Sequence, residues 1–192
     1  NFEGVSVETT ANSIVINNAV KLVNGLFDIG KNLLVMNQNA GFIEGNPFSN
    51  ANMVQSFLSF TDNGIKKYFS SSFTGQFVYP IGSKGKYTPV TFNITSTGAG
   101  SLRVKAADEL HPTIIEDTES CGTNIVDPQN VLAYYWTLDA GDGLSNFSAD
   151  ISMKHLPADA RYQAPNGLTD YISAKLIVGS ASWNKFGYES YD

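Results

Sequence analysis

The feature that most constrains this chain is the length and period of its apolar segments. Near the start, SIVINN, AVKLV, LFDIG and NLLVM alternate apolar with polar residues and are separated by turn residues. A two-residue period places alternate side chains on opposite faces of a strand, whereas a helix requires a period of 3.6 residues. Asn24-Gly25 is typical of tight connections, because both residues tolerate positive φ. The pattern therefore predicts an all-β chain.

The short segments of residues 1 to 60 are compatible with two arrangements. They could form antiparallel hairpins, or they could be the rungs of a short solenoid with an irregular repeat. Residues 46–57 interrupt the pattern with Pro47 and a polar run, which predicts a loop. We expect a short rung-like or hairpin β region here, and both arrangements stay open.

Longer candidate strands follow, and they predict a β-sandwich over residues 61 to 192, either Ig-like or jelly-roll-like. The boundary falls where Asn, Gly and Ser concentrate, in TDNGIKKYFSSSFTG, and the two regions could still form one cooperative unit. Alternation predicts a sandwich core that includes Val90, Phe92, Ile94, Leu102, Val104, Trp136, Leu138, Ile151, Met153, Ile172, Ala174, Leu176 and Val178.

Charge and cysteine content exclude several classes of protein. Twelve Lys and Arg against eighteen Asp and Glu give a formal net charge of −6, which disfavours binding to a phosphate backbone, so no nucleic-acid partner is expected. The single cysteine, Cys121, has no second thiol for an internal disulfide or a zinc site. No apolar run reaches the roughly 20 residues that a membrane-spanning helix needs.

Catalytic signatures are missing from the sequence. It contains no nucleophile elbow, zinc-protease helix, phosphate-binding loop or dinucleotide fingerprint. The two histidines, His111 and His155, lack partners at the spacing of a zinc site or a catalytic triad. We therefore predict a chain that is not an enzyme. A hydrolase or its accessory domain stays an alternative, because paired glycosidase carboxylates can come from any two strands.

Two acidic loops are candidate calcium sites. One is DAGDG, with Asp139 and Asp142, and the other contains Glu116, Asp117 and Glu119. Calcium prefers six to eight oxygen ligands, and neither loop matches the EF-hand pattern. A glycine-rich turn and a solvated loop are the simpler interpretations, so calcium is the one cofactor that the sequence leaves open.

The aromatic tail WNKFGYESYD offers Trp183, Tyr188 and Tyr191 as candidate ligand-binding residues. Exposed tyrosine and tryptophan rings can stack on sugar faces, so a carbohydrate-binding module is the main alternative function. The competing interpretation is that Trp183 covers the core, since large aromatic side chains are usually buried.

The stretch FVYPIGSKGKYTPVTF carries a family resemblance. An aromatic residue, a Pro-Ile-Gly turn, a polar spacer and Tyr-x-Pro-Val follow the rung-like NGLFDIGKNLLVMNQNAGFIEG and precede VLAYYWTLDA and FSADISMKHLP. This order resembles modules of large Bacteroidota surface proteins. Pro fixes φ at a strand end and Gly accepts positive φ, so we predict a structural corner between the two regions at Tyr79, Pro80, Gly82, Tyr87 and Pro89.

The resemblance implies export through the type IX pathway and display on the outer surface of the cell, as in gliding-motility adhesins. It also implies a non-catalytic structural or adhesive role. The expected partners are neighbouring modules of the same polypeptide and extracellular polysaccharide. The chain begins Asn1-Phe2-Glu3, without an initiator Met or a signal-peptide pattern, and we interpret it as a piece of a longer protein.

Overall fold

Strands dominate the structure. The helical segments among the described residues are α1 (Pro112–Glu116) and a 3-10 turn (Pro157–Asp159), so the prediction of an all-β chain is confirmed. Neither is long and apolar enough to cross a membrane. The computed structural model describes residues 4–6, 12–57, 61–83, 85–116, 131–160, 173–179 and 183–185.

The chain divides into two compact units. The larger contains Asn1–Glu109 and Tyr135–Leu156, and the smaller contains Leu110–Tyr134 and Pro157–Asp192. The strands of the larger unit are β1 (Gly4–Ser6), β2 (Ser13–Ile16), β3 (Ala19–Leu22), β4 (Leu26–Gly30), β5 (Leu33–Met36), β6 (Gly41–Glu44), β7 (Val54–Ser56), β8 (Ile65–Phe69), β9 (Gly75–Tyr79), β10 (Ile81–Ser83), β11 (Lys86–Tyr87), β12 (Val90–Ser96), β13 (Gly100–Ala107), β14 (Tyr135–Gly141) and β15 (Ser148–Met153).

The early strands form a parallel β-solenoid. Strands β1, β4, β7 and β10 pair in parallel on one side, β2, β5 and β8 on a second, and β3 and β6 on a third. Phe27, Val54 and Ile81 are aligned partners in successive coils. Of the two predicted arrangements, the solenoid is therefore the one found. Its ladders extend beyond residue 60, since β8 pairs with β5 and β10 with β7.

The predicted loop over residues 46–57 is wrong at its end, where Val54–Ser56 forms β7. This strand is only three residues long, so its own sequence shows almost no alternation. It is held instead by ladders on both sides, with β4 and β10, and Val54 is fully buried. Tertiary pairing overrides the polar run that precedes it.

Antiparallel strands follow the last coil and pack as a sandwich. Strand β13 pairs antiparallel with β8, and β14 pairs with β13. A second sheet, in the order β15-β12-β9, packs on this one through aromatic rings, with the Phe69 and Phe77 centroids 5.7 Å apart. The buried Tyr79 hydroxyl donates a hydrogen bond to the Leu102 carbonyl oxygen at 3.0 Å. The predicted sandwich-like packing is confirmed.

The predicted sandwich core is correct in its centre and wrong at its margin. Val90, Phe92, Ile94, Leu102 and Val104 are buried, whereas Trp136 and Leu138 are half-buried. Ile151 and Met153 are each 44% exposed because β15 is the edge strand of its sheet, and Val178 is 93% exposed in a turn. Ala174 is also exposed, and Ile172 lies outside the described residues.

The smaller unit contains the two helical segments and a short hairpin. In this hairpin β16 (Ala174–Leu176) pairs antiparallel with β17 (Trp183–Lys185). Leu132 and Ala160 form an isolated bridge, and Ala133 N–H donates to the Asp159 carbonyl oxygen at 2.7 Å. Ile114 and Tyr134 belong to this unit and are buried side chains.

Candidate functional site

A cluster of charged and polar side chains lies on the outer face of β8, β13 and β14. Lys66, Arg103 and Asp139 are aligned partners across the three strands, and Tyr68 and Ser101 occupy the next row on the same face. Residues two apart on a strand share a face, so Ile65, Lys67 and Phe69 point to the opposite, buried side. We call the outer set, with Asp142 from the turn after β14, the ion-pair cluster: Lys66, Tyr68, Ser101, Arg103, Asp139 and Asp142.

Asp142 accepts bonds from two neighbours in this cluster. Its Oδ2 lies 2.6 Å from Lys66 Nζ and 2.6 Å from Ser101 Oγ. The hydrogen bond from Lys66, followed by the one from Ser101, lowers the pKa of the Asp142 carboxyl group, and the same contact raises the pKa of Lys66. Lys66 Nζ also lies 5.0 Å from the centre of the Tyr68 ring. This carboxylate is therefore stabilised in its ionised form.

Asp139, predicted to lie in a loop, is instead in strand β14, and Arg103 on the paired strand binds its carboxylate. Its Oδ2 accepts hydrogen bonds from Arg103 Nε at 3.1 Å and from Nη2 at 2.7 Å. Both candidate calcium ligands of this loop therefore face cationic side chains, an arrangement suited to ion pairing between strands. The part of the chain that the structure describes contains no group of three or more His, Cys, Asp or Glu side chains able to hold a metal ion.

A shallow groove adjoins the ion-pair cluster. Its volume is about 460 Å³, and it is formed by the turn between β5 and β6, the end of β8, the start of β13 and the turn after β14. The half-buried Tyr68 ring supplies an apolar surface, while Asp142 and the amides of two turn residues supply hydrogen-bonding groups. Such a combination suits a ligand rich in hydroxyl groups. The lining residues are Asn37, Gln38, Tyr68, Phe69, Ala99, Gly100 and Asp142.

Lys67 lies on the buried side of β8, directly beneath this surface. The residue is 2% exposed, and Nζ donates to the carbonyl oxygens of Asn37 at 2.9 Å, Gln38 at 2.8 Å and Ala40 at 2.7 Å. Nζ also lies 5.7 Å from the Phe69 ring centre and 5.5 Å from that of Phe77. Burial lowers the pKa of Lys67 to about 8.

The ammonium group of Lys67 therefore organises the turn between β5 and β6, in the way that a bound cation would. Sequence reasoning missed this residue, because two adjacent lysines suggest a solvated segment. Strand alternation was the available indication, because Lys67 stands two residues from both Ile65 and Phe69 and therefore shares their buried face.

The predicted corner residues lie where the last coil meets the antiparallel strands. Tyr79 ends β9 and Pro80 precedes β10, and the Pro80 carbonyl oxygen accepts a 2.8 Å hydrogen bond from Val54 N–H. The positive φ predicted for Gly82 is wrong, and glycine is required there for a steric reason instead. A Cβ atom on Gly82 would lie 2.1 Å from the Lys86 carbonyl oxygen.

Two further corner residues lie just beyond Gly82. Tyr87 pairs with Gly82, and burial together with the charge of Glu44 raises the pKa of its hydroxyl to about 12. Pro89 precedes β12, where a missing N–H is tolerated. The five residues thus extend from the end of β9 to the residue before β12.

Of the aromatic residues predicted as a binding site in the tail, Trp183 is among the described residues. Trp183 is half-buried and packs edge-on against His111, with ring centres 5.1 Å apart. Burial lowers the pKa of His111, whose Nδ1 lies 2.8 Å from Thr113 Oγ1. Tyr188, Tyr191, Asp117, Glu119 and the Glu116 side chain lie outside the described residues.

Comparison with known proteins identifies no relative. No protein-family model, no curated protein and no solved structure matches the chain.

Proposed function

We propose that this chain is a non-catalytic structural module of a bacterial cell-surface protein, in which a β-solenoid ends in an antiparallel sandwich. The observation that carries the proposal is the continuity of the ladders. The sheet that begins with β2 and β5 continues through β8 into β13 and β14 without a break in strand pairing. Each strand is hydrogen-bonded to the next, so tension along one coil is shared by the whole sheet.

Polar contacts between coils reinforce this arrangement. Asn37 Nδ2 donates to Asn17 Oδ1 in the preceding coil, and Asn46 Nδ2 donates to Asn24 Oδ1 at 2.9 Å. Stacked amides at equivalent corners connect one coil to the next. Together with the contacts of Lys67, they add hydrogen bonds at the turns to those of the ladders.

The cellular context rests on the resemblance to Bacteroidota surface proteins. Secretion through the type IX pathway would place the module outside the cell, with neighbouring modules of the same polypeptide as its first partners. Its role would be to hold those modules at a distance from the membrane during adhesion or gliding. This role requires no catalysis. Each carboxylate of the ion-pair cluster is bound to the cationic side chain of a lysine or an arginine.

Single-molecule extension tests the structural role. The full chain is tethered by its two ends between reference domains and stretched at constant speed. We expect one unfolding peak for the solenoid and sandwich, at a force above that of an all-α reference of similar length, because many ladder bonds must break together. Lys67→Met should lower the peak force, while Lys66→Met serves as the matched control on the same strand. Extension without a peak would contradict the proposal.

Glycan binding in the groove is a second candidate function. It is favoured by the position of the Tyr68 ring beside the Asp142 carboxylate and the Asn37 turn. A panel of extracellular polysaccharides, tested by affinity electrophoresis, would detect it. Retardation that is lost in Tyr68→Ala and kept in Trp183→Ala assigns binding to the groove, and the reverse result assigns it to the aromatic tail. Absence of retardation in the wild type would reject both sites.

A further inference from the structure

One edge of strand β15 is free of any described strand. The strand pairs on one side with β12, and no described strand pairs with its other side. Both of its faces are open to solvent, and Ile151 and Met153 are each 44% exposed. An edge strand with exposed apolar residues is a template for pairing with another chain.

One hydrogen bond shows which N–H and C=O groups of β15 point toward β12 and which point away from it. Lys154 N–H donates to the Pro89 carbonyl oxygen at 3.2 Å, in register with the ladder that joins Val90 to Met153. Hydrogen-bonded and non-hydrogen-bonded pairs alternate in an antiparallel ladder. The N–H and C=O groups of Ile151 and Met153 therefore point away from β12, toward the free edge.

We infer that two copies of this chain associate by antiparallel pairing of their β15 strands about a two-fold axis through Ser152. In this register the outward backbone groups of Ile151 meet those of Met153 of the second copy. Two such pairs form, related by the axis, and each exchanges two hydrogen bonds. Ser152 faces Ser152 of the second copy as a non-hydrogen-bonded pair.

Charge complementarity favours this register. Asp150 faces Lys154 of the second copy on one face of the joined sheet, while Ile151 faces Met153 on the other. In the described part of the chain, Asp150 and Lys154 form no ion pair of their own. Centring the axis on Ile151 would instead place Asp150 opposite Ser152 and leave its charge unmatched. Opposite charges that face each other across strands stabilise the pair.

Disulfide trapping tests the register. In a Cys121→Ser background, Ser152→Cys places two thiols across a non-hydrogen-bonded pair, where Cα atoms lie about 4.5 Å apart, within the range of about 4.4–6.8 Å that a disulfide allows. Ser148→Cys is the matched control, because the same register separates its two copies by about 27 Å. We expect mild oxidation to trap the Ser152→Cys dimer at least tenfold faster than the Ser148→Cys dimer. Equal rates would overturn the inference.

Charge exchange tests the contact without cysteine. Sedimentation equilibrium should show weaker self-association of Asp150→Lys and of Lys154→Asp, since each places like charges opposite one another. The double variant restores opposite charges and should recover wild-type association. A wild-type chain that stays monomeric throughout the accessible concentration range, or a double variant as weak as the single ones, overturns the pairing. In the first case the two charges would serve to protect the edge.

Discussion

The Nζ atom of Lys67 lies 2.7 Å from the backbone carbonyl oxygen of Ala40, in the buried interior of the solenoid. A charged group in such a position is stable only when its donors are satisfied. Here the carbonyl oxygens of Asn37 and Gln38 complete the set. The turn between β5 and β6 and the strand β8 of the following coil are thereby fixed to one another.

Removal of this ammonium group should destabilise the fold. Lys67→Met keeps much of the side-chain volume but leaves three carbonyl oxygens without their donor, so we expect the free energy of unfolding to fall by about 2–4 kcal/mol. Urea denaturation followed by circular dichroism measures the change. Lys66→Met, on the solvent side of the same strand, should have a clearly smaller effect. Equal losses in the two variants would show that Lys67 has no special role.

Stability should depend on pH through the same residue. The pKa of Lys67 is lowered from 10.5 to about 8 in the folded state, so between these values the unfolded chain binds more protons. Stability attributable to Lys67 should therefore rise with pH in this window, by up to about 1.4 kcal/mol per pH unit. The measurement is the difference between wild type and Lys67→Met, obtained by urea denaturation at pH 7.5 to 10. A difference that stays constant with pH is the contrary result.

Gly82 should tolerate no side chain. A Cβ atom there would lie 2.1 Å from the Lys86 carbonyl oxygen and 2.4 Å from Met53 Sδ, so Gly82→Ala must displace backbone in the hairpin of β10 and β11. We expect a loss of more than about 3 kcal/mol, as for severe overpacking. Gly41→Ala is the control, because nothing lies within 4 Å of its added Cβ. Thermal denaturation distinguishes the two, and similar melting temperatures would contradict the corner geometry.

The hydroxyl group of Tyr79 should contribute a single buried hydrogen bond. Tyr79→Phe removes the donor to the Leu102 carbonyl oxygen and retains the ring contacts with Phe77 and Phe92. We expect the free energy of unfolding to fall by about 1–2 kcal/mol. Tyr68→Phe, on the outer face of the neighbouring sheet, should lower the free energy of unfolding by less. Urea denaturation of both variants provides the comparison, and a neutral Tyr79→Phe would indicate that the bond is replaced by water.

Fluorescence of Trp183 should report the protonation of His111. Their rings lie 5.1 Å apart, and a protonated imidazole quenches a neighbouring indole. Because burial lowers the pKa of His111, emission should increase as the pH rises through a midpoint below 6.5. The transition should vanish in His111→Gln and in Trp183→Phe. A midpoint above 6.5 in the wild type would be inconsistent with the partial burial of His111 against Trp183.

The strand content of this fold follows from local pattern, but the pairing of its first strands does not. A five-residue alternating segment such as LFDIG has the same appearance in a hairpin and in a solenoid coil. The choice is made by contacts between residues far apart in sequence, as when Phe27 aligns with Val54 and Val54 with Ile81. Strand β7 shows the same limit, since its ladders and not its own sequence define it.

The candidate sites were predictable only where their chemistry is local. The acidic pair Asp139 and Asp142 stands out in the sequence, but their partners Arg103 and Lys66 come from other strands. Exposure of Ile151 and Met153 was not predictable either, because alternation marks a face of a strand without showing whether another layer covers it. Lys67, by contrast, could have been found from its parity with Ile65 and Phe69.

The change from parallel to antiparallel pairing gives the molecule a direction. At the end of the solenoid that follows the last coil, β13 pairs with β8 and β11 pairs with β10. A new coil inserted there would have to break these existing ladders. A coil engineered next to β2 would instead meet a strand of its own orientation. Stalks of different length could therefore share one and the same terminus, and their length could be altered without redesigning the sandwich.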